Sequence, residues 1–313
     1  MKKVSIIIPC HNEVDSIPLL YIELKKLIET EKKYLWQILF VNDGSNDNTL
    51  SLLKQLHDAD ERVDYVNLSR NFGKESAMLA GLDIVSGDCA IIMDADLQHP
   101  PTVIPNMIKL WEDGSDDVYA RRNSRGKESF LRKHLTMCFY KLLNKAVKFE
   151  IPMNVGDFRL LDRKCIEALR QMRETERYSK GLFCWIGFKK SEVEFDQADR
   201  IAGKSNWNLL SLFNLAVEGI VSFTTSPLRL STALGFLIAI CSFIVMIYYI
   251  VKTLIYGDPV AGFPTLMTVI LLLGGIQLIA IGILGEYIGR IFNEVKNRPV
   301  YFISDSSIPE KKK

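Results

Sequence analysis

The stretch Cys89-Ala90-Ile91-Ile92-Met93-Asp94-Ala95-Asp96-Leu97-Gln98-His99-Pro100 decides how this chain is read. Its first five residues form a short apolar run, the signature of a strand buried on both faces, and the run stops at two carboxylates two residues apart. Paired carboxylates at a strand end can approach one hard cation together, and Mg²⁺ or Mn²⁺ usually binds a diphosphate through few protein oxygens. A bare DxD is a frequent accident. Here it closes a strand and is extended by Gln98 and Pro100.

Working outward toward the N-terminus, short β-branched runs alternate with longer helical patterns. Val4–Ile8, Ile38–Val41 and Val63–Leu68 read as strands, with helices over Ile17–Ile28 and Leu50–Leu56 between them. This alternation continues to about Asp199 and implies right-handed crossovers and a mostly parallel sheet covered on both faces. Ligands of such sheets sit beyond the carboxyl ends of the strands. Two more loops at strand ends therefore matter: Pro9-Cys10-His11-Asn12-Glu13 and Asn42-Asp43-Gly44-Ser45-Asn46-Asp47. A carboxylate beside a glycine in such a loop can accept from a ribose hydroxyl or a base edge, although Asp-Gly is also a common turn.

Downstream, Val155-Gly156-Asp157-Phe158-Arg159 is expected to place a carboxylate in a loop before Leu160–Leu161. Asp157 is read as a general base toward an acceptor, or a group that orients one, against a plain turn or helix-cap role. Arg121, Arg122, Arg125, Arg132, Arg200 and Lys204 stand near amphipathic segments, and guanidinium groups bind phosphate oxygens bidentately. For any one of them a solvated surface role is the plain alternative.

Composition sets limits on these readings. The chain has 313 residues, 48% hydrophobic, and a net charge of only +2, which gives no reason to expect nucleic acid as a partner. Cys10, Cys89, Cys138, Cys165, Cys184 and Cys241 form no CxxC pair and no metal-ligand spacing, so reduced thiols in a cytosol-facing protein are expected. The apolar run after Lys2 and Lys3 ends at Pro9, too early for an export signal.

Past Thr225 the composition changes. Leu230–Val251 and Phe263–Ile283 are nearly free of charge and each approaches the ~20 residues that cross a bilayer core, so two spanning helices are expected. Arg229 precedes the first, and Arg290, Lys296 and Arg298 follow the second; the positive-inside tendency then puts both termini and the large domain in the cytoplasm. Gln277 and Glu286 are read as packing or interface residues. Phe130–Phe149 is amphipathic and basic, either an interfacial helix or an ordinary surface helix. Asn206–Ser222 repeats the pattern and runs into the first span. Gly274, Gly275, Gly282 and Gly285 would permit close helix contact, hence a homo-oligomer.

IIIPCHNE (Ile6–Glu13), VNDGSNDNT (Val41–Thr49), LSRNFGKESAMLAGLD (Leu68–Asp83) and MDADLQHPP (Met93–Pro101), in that order, resemble family 2 glycosyltransferases of the GT-A fold. More narrowly the chain resembles polyprenyl-phosphate glycosyltransferases, the group of dolichol-phosphate mannose synthase and the bactoprenol glucosyltransferases. The likeness covers nearly the whole chain, including the two C-terminal apolar runs. It implies that Pro9, Asn12, Glu13, Asp43 and Lys74 line the nucleotide-sugar pocket, and that Asp94, Asp96 and Gln98 hold Mg²⁺ or Mn²⁺ and the diphosphate. Asp157 matches the family's catalytic aspartate. Arg122, Arg132, Arg200, Lys204 and Ser205 match its acceptor-phosphate region.

The organisation expected is a cytoplasmic GT-A domain over 1–205, a juxtamembrane amphipathic helix over 206–228, a two-helix anchor over 229–290 and a cytoplasmic tail over 291–313. The resemblance implies transfer of one sugar, from UDP-glucose or UDP-GlcNAc, to undecaprenyl phosphate with inversion, at the inner (plasma) membrane. The product would serve cell-envelope glycan modification, with a flippase and a second glycosyltransferase downstream. No QxxRW motif occurs, which argues against a processive polymerase. Two alternatives stand beside this reading: a diacylglycerol-type acceptor, and a non-enzymatic membrane scaffold or lipid-sugar translocator. The latter leaves Asp94, Asp96 and Asp157 unexplained.

Overall fold

A computed structural model describes residues 1–123, 137, 144, 150–153, 155–175, 177–196, 226–256 and 262–308. In chain order the elements are β1 (Lys3–Cys10), α1 (Ser16–Thr30), β2 (Leu35–Asn42), α2 (Thr49–Ala59), β3 (Val63–Leu68), α3 (Lys74–Ile84), β4 (Cys89–Ile92), α4 (Ile104–Glu112), β5 (Asp117–Arg122), β6 (Val155–Asp162), α5 (Arg163–Gln171), α6 (Ser179–Trp185), β7 (Lys190–Phe195), α7 (Ser226–Tyr256), α8 (Phe263–Val295) and β8 (Ile303–Ser306).

The β-branched run of β1 is buried from Val4 to Cys10 because it has strands on both edges and helices on both faces. Alternation sorts its side chains. Ile6 and Ile8 join the core with Leu20 and Leu24 of α1, while Ile7 meets α3. A Cβ at Gly81 would lie 2.3 Å from Cγ2 of Ile7, so α3 approaches the sheet this closely only because position 81 has no side chain.

The strands form one sheet in the order β7-β5-β6-β4-β1-β2-β3-β8. β1 pairs in parallel with β2 and β4, β2 with β3, and β5 with β7, whereas β6 is antiparallel to β4 and β5 and β8 is antiparallel to β3. This is the mostly parallel α/β sheet of the GT-A type. From β1 the chain steps outward through β2 to β3, then returns to set β4 on the other side of β1. That reversal opens a crevice at the carboxyl ends of β1 and β4, where doubly wound sheets bind ligands.

Three features differ from the sequence reading or add to it. Asp157 lies within β6, not in a loop. The β4–β6 pairing carries it: Ile92 stands opposite Arg159, so the strand that follows the DxD strand in the sheet brings Asp157 to the same end of the sheet. Residues 303–306, expected in a tail, form β8 and pair with Val66–Leu68 of β3. Cys10, Cys89, Cys165 and Cys184 are free and buried, as expected, but Cys241 is exposed.

The chain divides into two units, residues Met1–Ala216 with Arg298–Lys313, and residues Val217–Asn297. Within the second, α7 and α8 contain the apolar runs Leu230–Val251 and Phe263–Ile283. Among the described residues one helical stretch, Leu272–Val295, is long and apolar enough to cross a membrane, with 24 residues and a mean hydropathy of 1.6. Ser231–Val245 is apolar but shorter, so one crossing stretch stands where two were expected. On α8, Glu286 pairs with Arg290 one turn on, at 3.0 Å, as a surface pair would. Most of Phe130–Phe149 and all of Asn206–Ser222 lie outside the described residues.

Candidate active site

The first two strand-end loops are tied together before any ligand is considered. Backbone N–H of Asp43 donates to the Cys10 carbonyl (2.9 Å), and His11 Nδ1 lies 2.8 Å from the Asp43 carbonyl oxygen. Asn12 adopts φ 56°, a left-handed conformation that asparagine tolerates, and in it the Asn12 N–H reaches Ser45 Oγ while its own Oδ1 accepts from Asn46 N. Gly44 follows with φ 60°, and a Cβ there would strike the backbone of Arg70 at 2.3 Å. A third loop, after β3, therefore packs directly on the second.

That contact positions Asp43. Its carboxylate is 4% exposed and accepts from Phe72 N (2.7 Å) and Gly73 N (2.9 Å). Charge-assisted bonds of this kind are short and roughly twice as strong as neutral ones. The loop so clamped ends at Gly73, and the next residue, Lys74, begins α3.

Lys74 is where the remaining parts meet. Its Nζ lies 2.6 Å from Asp94 Oδ1 and 2.8 Å from Asp157 Oδ2, so one ammonium joins the end of β4 to β6. Burial opposes the Lys74 charge, but the Asp157 and Asp94 carboxylates outweigh it and raise its pKa above the usual lysine range. For Asp94 and Asp157 burial works toward the neutral acid, and the Lys74 ammonium reverses this, holding both below the usual carboxylate range. Both carboxylates are therefore ionised at neutral pH. The other Asp157 oxygen, Oδ1, is buried with no hydrogen-bond partner among the described residues. Buried carboxylate oxygens are rarely left so.

Behind Asp94, His99 is 1% exposed and stacked on Phe158 at 4.8 Å between ring centroids. Its Nδ1 accepts from Asp94 N (3.0 Å), which requires an unprotonated Nδ1, and burial lowers its pKa in agreement. Leu97 has φ 60°, a strained conformation for leucine, and the Asp96 carboxylate accepts from Gln98 N at 3.1 Å. The DxD turn is thus held from both sides.

Pro9, Glu13, Asp43, Lys74, Asp94 and Asp96 line one cavity of about 330 Å³, joined by Cys10, His11, Asn71, Gly73, Ala77 and Ala95. Asn12 and Gln98 are not among its lining residues: Asn12 braces the first loop against the second, and the Gln98 backbone caps Asp96. The lining carries four carboxylates against one ammonium, a balance that repels a diphosphate unless a cation accompanies it. Among the described residues no three His, Cys, Asp or Glu side chains gather into a closed metal cage. A hard cation shared with a diphosphate needs only one or two protein carboxylates, and the Asp94 and Asp96 pair fits that requirement.

At the end of β5, Arg121 turns outward to Glu192 (3.2 Å), while a Cβ at Gly156 would sit 3.5 Å from Arg122 Nη2 and 3.9 Å from His99 Nε2. Arg122, not Arg121, therefore lies against Gly156. Arg125, Arg132, Arg200, Lys204 and Ser205 lie outside the described residues. His99, Asn71 and Glu75 were not singled out from the sequence. Glu75 is close enough for the Asp157 charge to help burial raise its pKa, and it accepts from Ser179 N at 3.2 Å. His99 stands inside the DxD motif, but nothing in the sequence said that its ring would turn back onto the Asp94 amide.

Residues 5–170 match the family described as Glycosyl transferase family 2, and residues 226–291 match the GtrB C-terminal hairpin. The SfII prophage-derived bactoprenol glucosyl transferase of Shigella flexneri is 45% identical over 304 residues, 97% of this chain and 98% of that protein. A prophage bactoprenol glucosyl transferase homolog of Escherichia coli K12 is 44% identical over 301 residues, 96% and 98% of the two chains. Among solved structures, glucosyl-3-phosphoglycerate synthase from Mycobacterium tuberculosis in complex with Mn²⁺, UDP and phosphoglyceric acid aligns with a TM-score of 0.46 at 15% identity. It covers 70% of this chain and 76% of that one, a likeness too distant to bear on activity or ligands. With the family match spanning more than half of its residues and relatives of this identity along its full length, the chain belongs to glycosyl transferase family 2 and is a glycosyltransferase.

Proposed function

We propose that the protein transfers a single glucose from UDP-glucose to a polyprenyl phosphate at the cytoplasmic face of a membrane, inverting the anomeric centre. The observation that carries this reading is the likeness to bactoprenol glucosyl transferases over 97% of the chain, which includes the catalytic unit and the C-terminal hairpin together. UDP-GlcNAc is the second donor to test, because no residue of the cavity is matched to a particular sugar hydroxyl.

The residues support the following division of labour. Asp43 and the loop it clamps form the floor for the nucleoside, and Lys74 offers its ammonium to the diphosphate. Asp94 and Asp96, with Gln98 shaping the turn, would hold Mg²⁺ or Mn²⁺, which when bound neutralises charge developing on the departing diphosphate. The acceptor phosphate oxygen attacks C1 of the sugar, the bond from C1 to the diphosphate oxygen breaks, and the nucleoside diphosphate leaves with that electron pair. A phosphate dianion has no proton to lose at neutral pH, so Asp157, paired with Lys74 before the donor arrives, serves to orient the attack more than to deprotonate. Arg122, against Gly156, is a candidate to receive phosphate oxygens, with Arg132, Arg200, Lys204 and Ser205 as further candidates.

Membrane attachment through α7 and α8 follows the same reading, with two crossings. β8 supports the even number: the chain leaves the catalytic unit before α7 and pairs with β3 of that same unit after α8, so the segment between must begin and end on one side. The test is transfer of radiolabelled sugar from a panel of UDP- and GDP-sugars to undecaprenyl phosphate or diacylglycerol in detergent. Label from UDP-glucose on undecaprenyl phosphate alone is the expected result; label on diacylglycerol alone would overturn the acceptor.

A further inference from the structure

The Lys74 ammonium occupies the gap between two carboxylates, within 2.6 Å of Asp94 and 2.8 Å of Asp157. We propose that Lys74 is a resident counter-ion that keeps Asp94 closed to a divalent cation until a nucleoside diphosphate draws the ammonium away, so that metal and donor enter together. This rests on the reading that Asp94 and Asp96 are the metal's protein ligands.

The ammonium satisfies one oxygen of each partner, and a cation approaching Asp94 in the nucleotide-free protein must displace it. Displacement without a replacement partner costs twice, since Lys74 loses both ion pairs and Asp157, 9% exposed, loses its direct ion partner and keeps only the more distant charges of Lys180 and Arg159. A diphosphate offsets the first of these costs by giving the ammonium new partners. Lys74 lines the same cavity as Asp43, Asp94 and Asp96, and its side chain is 43% exposed. A flexible four-carbon stem with three rotatable donors can pass from carboxylate to phosphate without backbone movement. The backbone at Lys74 is meanwhile held in place, because the residue before it, Gly73, donates its N–H to Asp43. The donor thus supplies acceptors for the ammonium at the moment it brings a second negative group for the metal. By linkage, the donor tightens the metal as much as the metal tightens the donor.

Opening the site before the donor arrives would expose a bound metal and an ionised Asp157 to water and to the acceptor alone. A lysine that vacates only for a diphosphate makes the assembled site conditional on the donor being present. Asp96 lies outside this ion pair, and its carboxylate accepts from the Gln98 backbone N–H at 3.1 Å.

The test is Mn²⁺ binding to the full chain in detergent, read by electron paramagnetic resonance of free Mn²⁺, with and without UDP. The wild type, Lys74→Gln and Lys74→Arg are compared, with Lys74→Met replacing the first variant if it fails to fold by circular dichroism. Without nucleotide, Lys74→Gln is expected to bind Mn²⁺ at least ~10-fold tighter than wild type or Lys74→Arg, and UDP is expected to tighten Mn²⁺ far less in Lys74→Gln than in wild type. Equal Mn²⁺ affinity of Lys74→Gln and wild type without nucleotide, with UDP-dependent binding intact, would overturn the proposal while leaving the metal site standing. Absence of Mn²⁺ binding in every form, with UDP present and itself bound, would remove the metal site and the proposal together.

Discussion

Replacing Asp43 by asparagine isolates the contribution of one carboxylate to the donor pocket. Both of its oxygens are in use, one on Phe72 N at 2.7 Å and one on Gly73 N at 2.9 Å, in a side chain that is 4% exposed. Asparagine keeps one acceptor and turns an NH₂ group toward the other N–H. One charge-assisted bond, about 1.5–3 kcal/mol, is lost, and a donor stranded in a buried place costs about 1–3 kcal/mol if the loop stays where it is. The loop has an escape, since Asn71 and Gly73 face the cavity and can swing into it. The substitution is therefore expected to convert about 3 kcal/mol of clamping into loop opening, close to a 100-fold loss in donor affinity. The assay is calorimetric titration of UDP into detergent-solubilised protein beside donor KM and kcat. KM should rise far more than kcat falls, and Asp43→Ala, which strands both N–H groups, should be worse. Wild-type UDP affinity in Asp43→Asn, with unchanged thermal stability, would refute the role assigned to the carboxylate.

Asp94→Asn and Asp157→Asn are each expected to lower kcat by about 10²–10⁴-fold while the protein stays folded and membrane-bound, measured by transfer assay and circular dichroism. Chelation by EDTA should stop turnover, with Mg²⁺ or Mn²⁺ restoring it; full activity in EDTA would exclude the metal role of Asp94 and Asp96. The Asp157 carboxyl is held below its ordinary value because Lys74 outweighs the effect of burial. Its stabilising contribution is therefore fully present above roughly pH 3.9 and is lost only as pH falls through the lower folded value. The pH profile of kcat/KM, which reports the free enzyme, should accordingly show no acid limb from Asp157 between roughly pH 5 and 8, whereas Lys74→Gln should bring a limb upward into view. Truncation after Asn297 deletes β8 and leaves the edge of β3 at Val66–Leu68 without its pairing strand, and should lower the unfolding midpoint of the catalytic unit by scanning fluorimetry.

The central half of the sheet was legible because buried parallel strands need contiguous apolar residues, and β1, β2 and β4 supply them with a polar loop directly after. Those loops held Pro9, Glu13, Asp43, Asp94 and Asp96, the resemblance to the family added Lys74, and the structure gathers these six around one cavity that Asn12 and Gln98 do not line. The outer strands were not legible for a matching reason. β7 reads Lys-Ser-Glu-Val-Glu-Phe and β8 Ile-Ser-Asp-Ser, each at an end of the sheet among the described residues and with too few apolar residues to show a period. β6 was hidden differently: Asp157 and Arg159 interrupt its apolar pattern, and both are buried because each has an ion partner contributed from elsewhere, Lys74 and Asp117. A period count registers a charge as solvent-facing. It has no means of registering a partner 83 residues upstream, where Lys74 stands.

The return of the chain to β3 also governs how this enzyme can be taken apart. Ile303–Ser306 pair with Val66–Leu68, Tyr301 donates to Asp83 at 2.6 Å, and Ser69 N donates to the Phe302 carbonyl, next to the loop that Asp43 clamps. The catalytic unit is thus discontinuous in sequence, and the apolar hairpin is an insertion into it. A water-soluble version cannot be made by stopping translation before Ser226, because that discards the last strand. It calls for excision of 226–297 with a short flexible splice, leaving the final residues free to find their sheet.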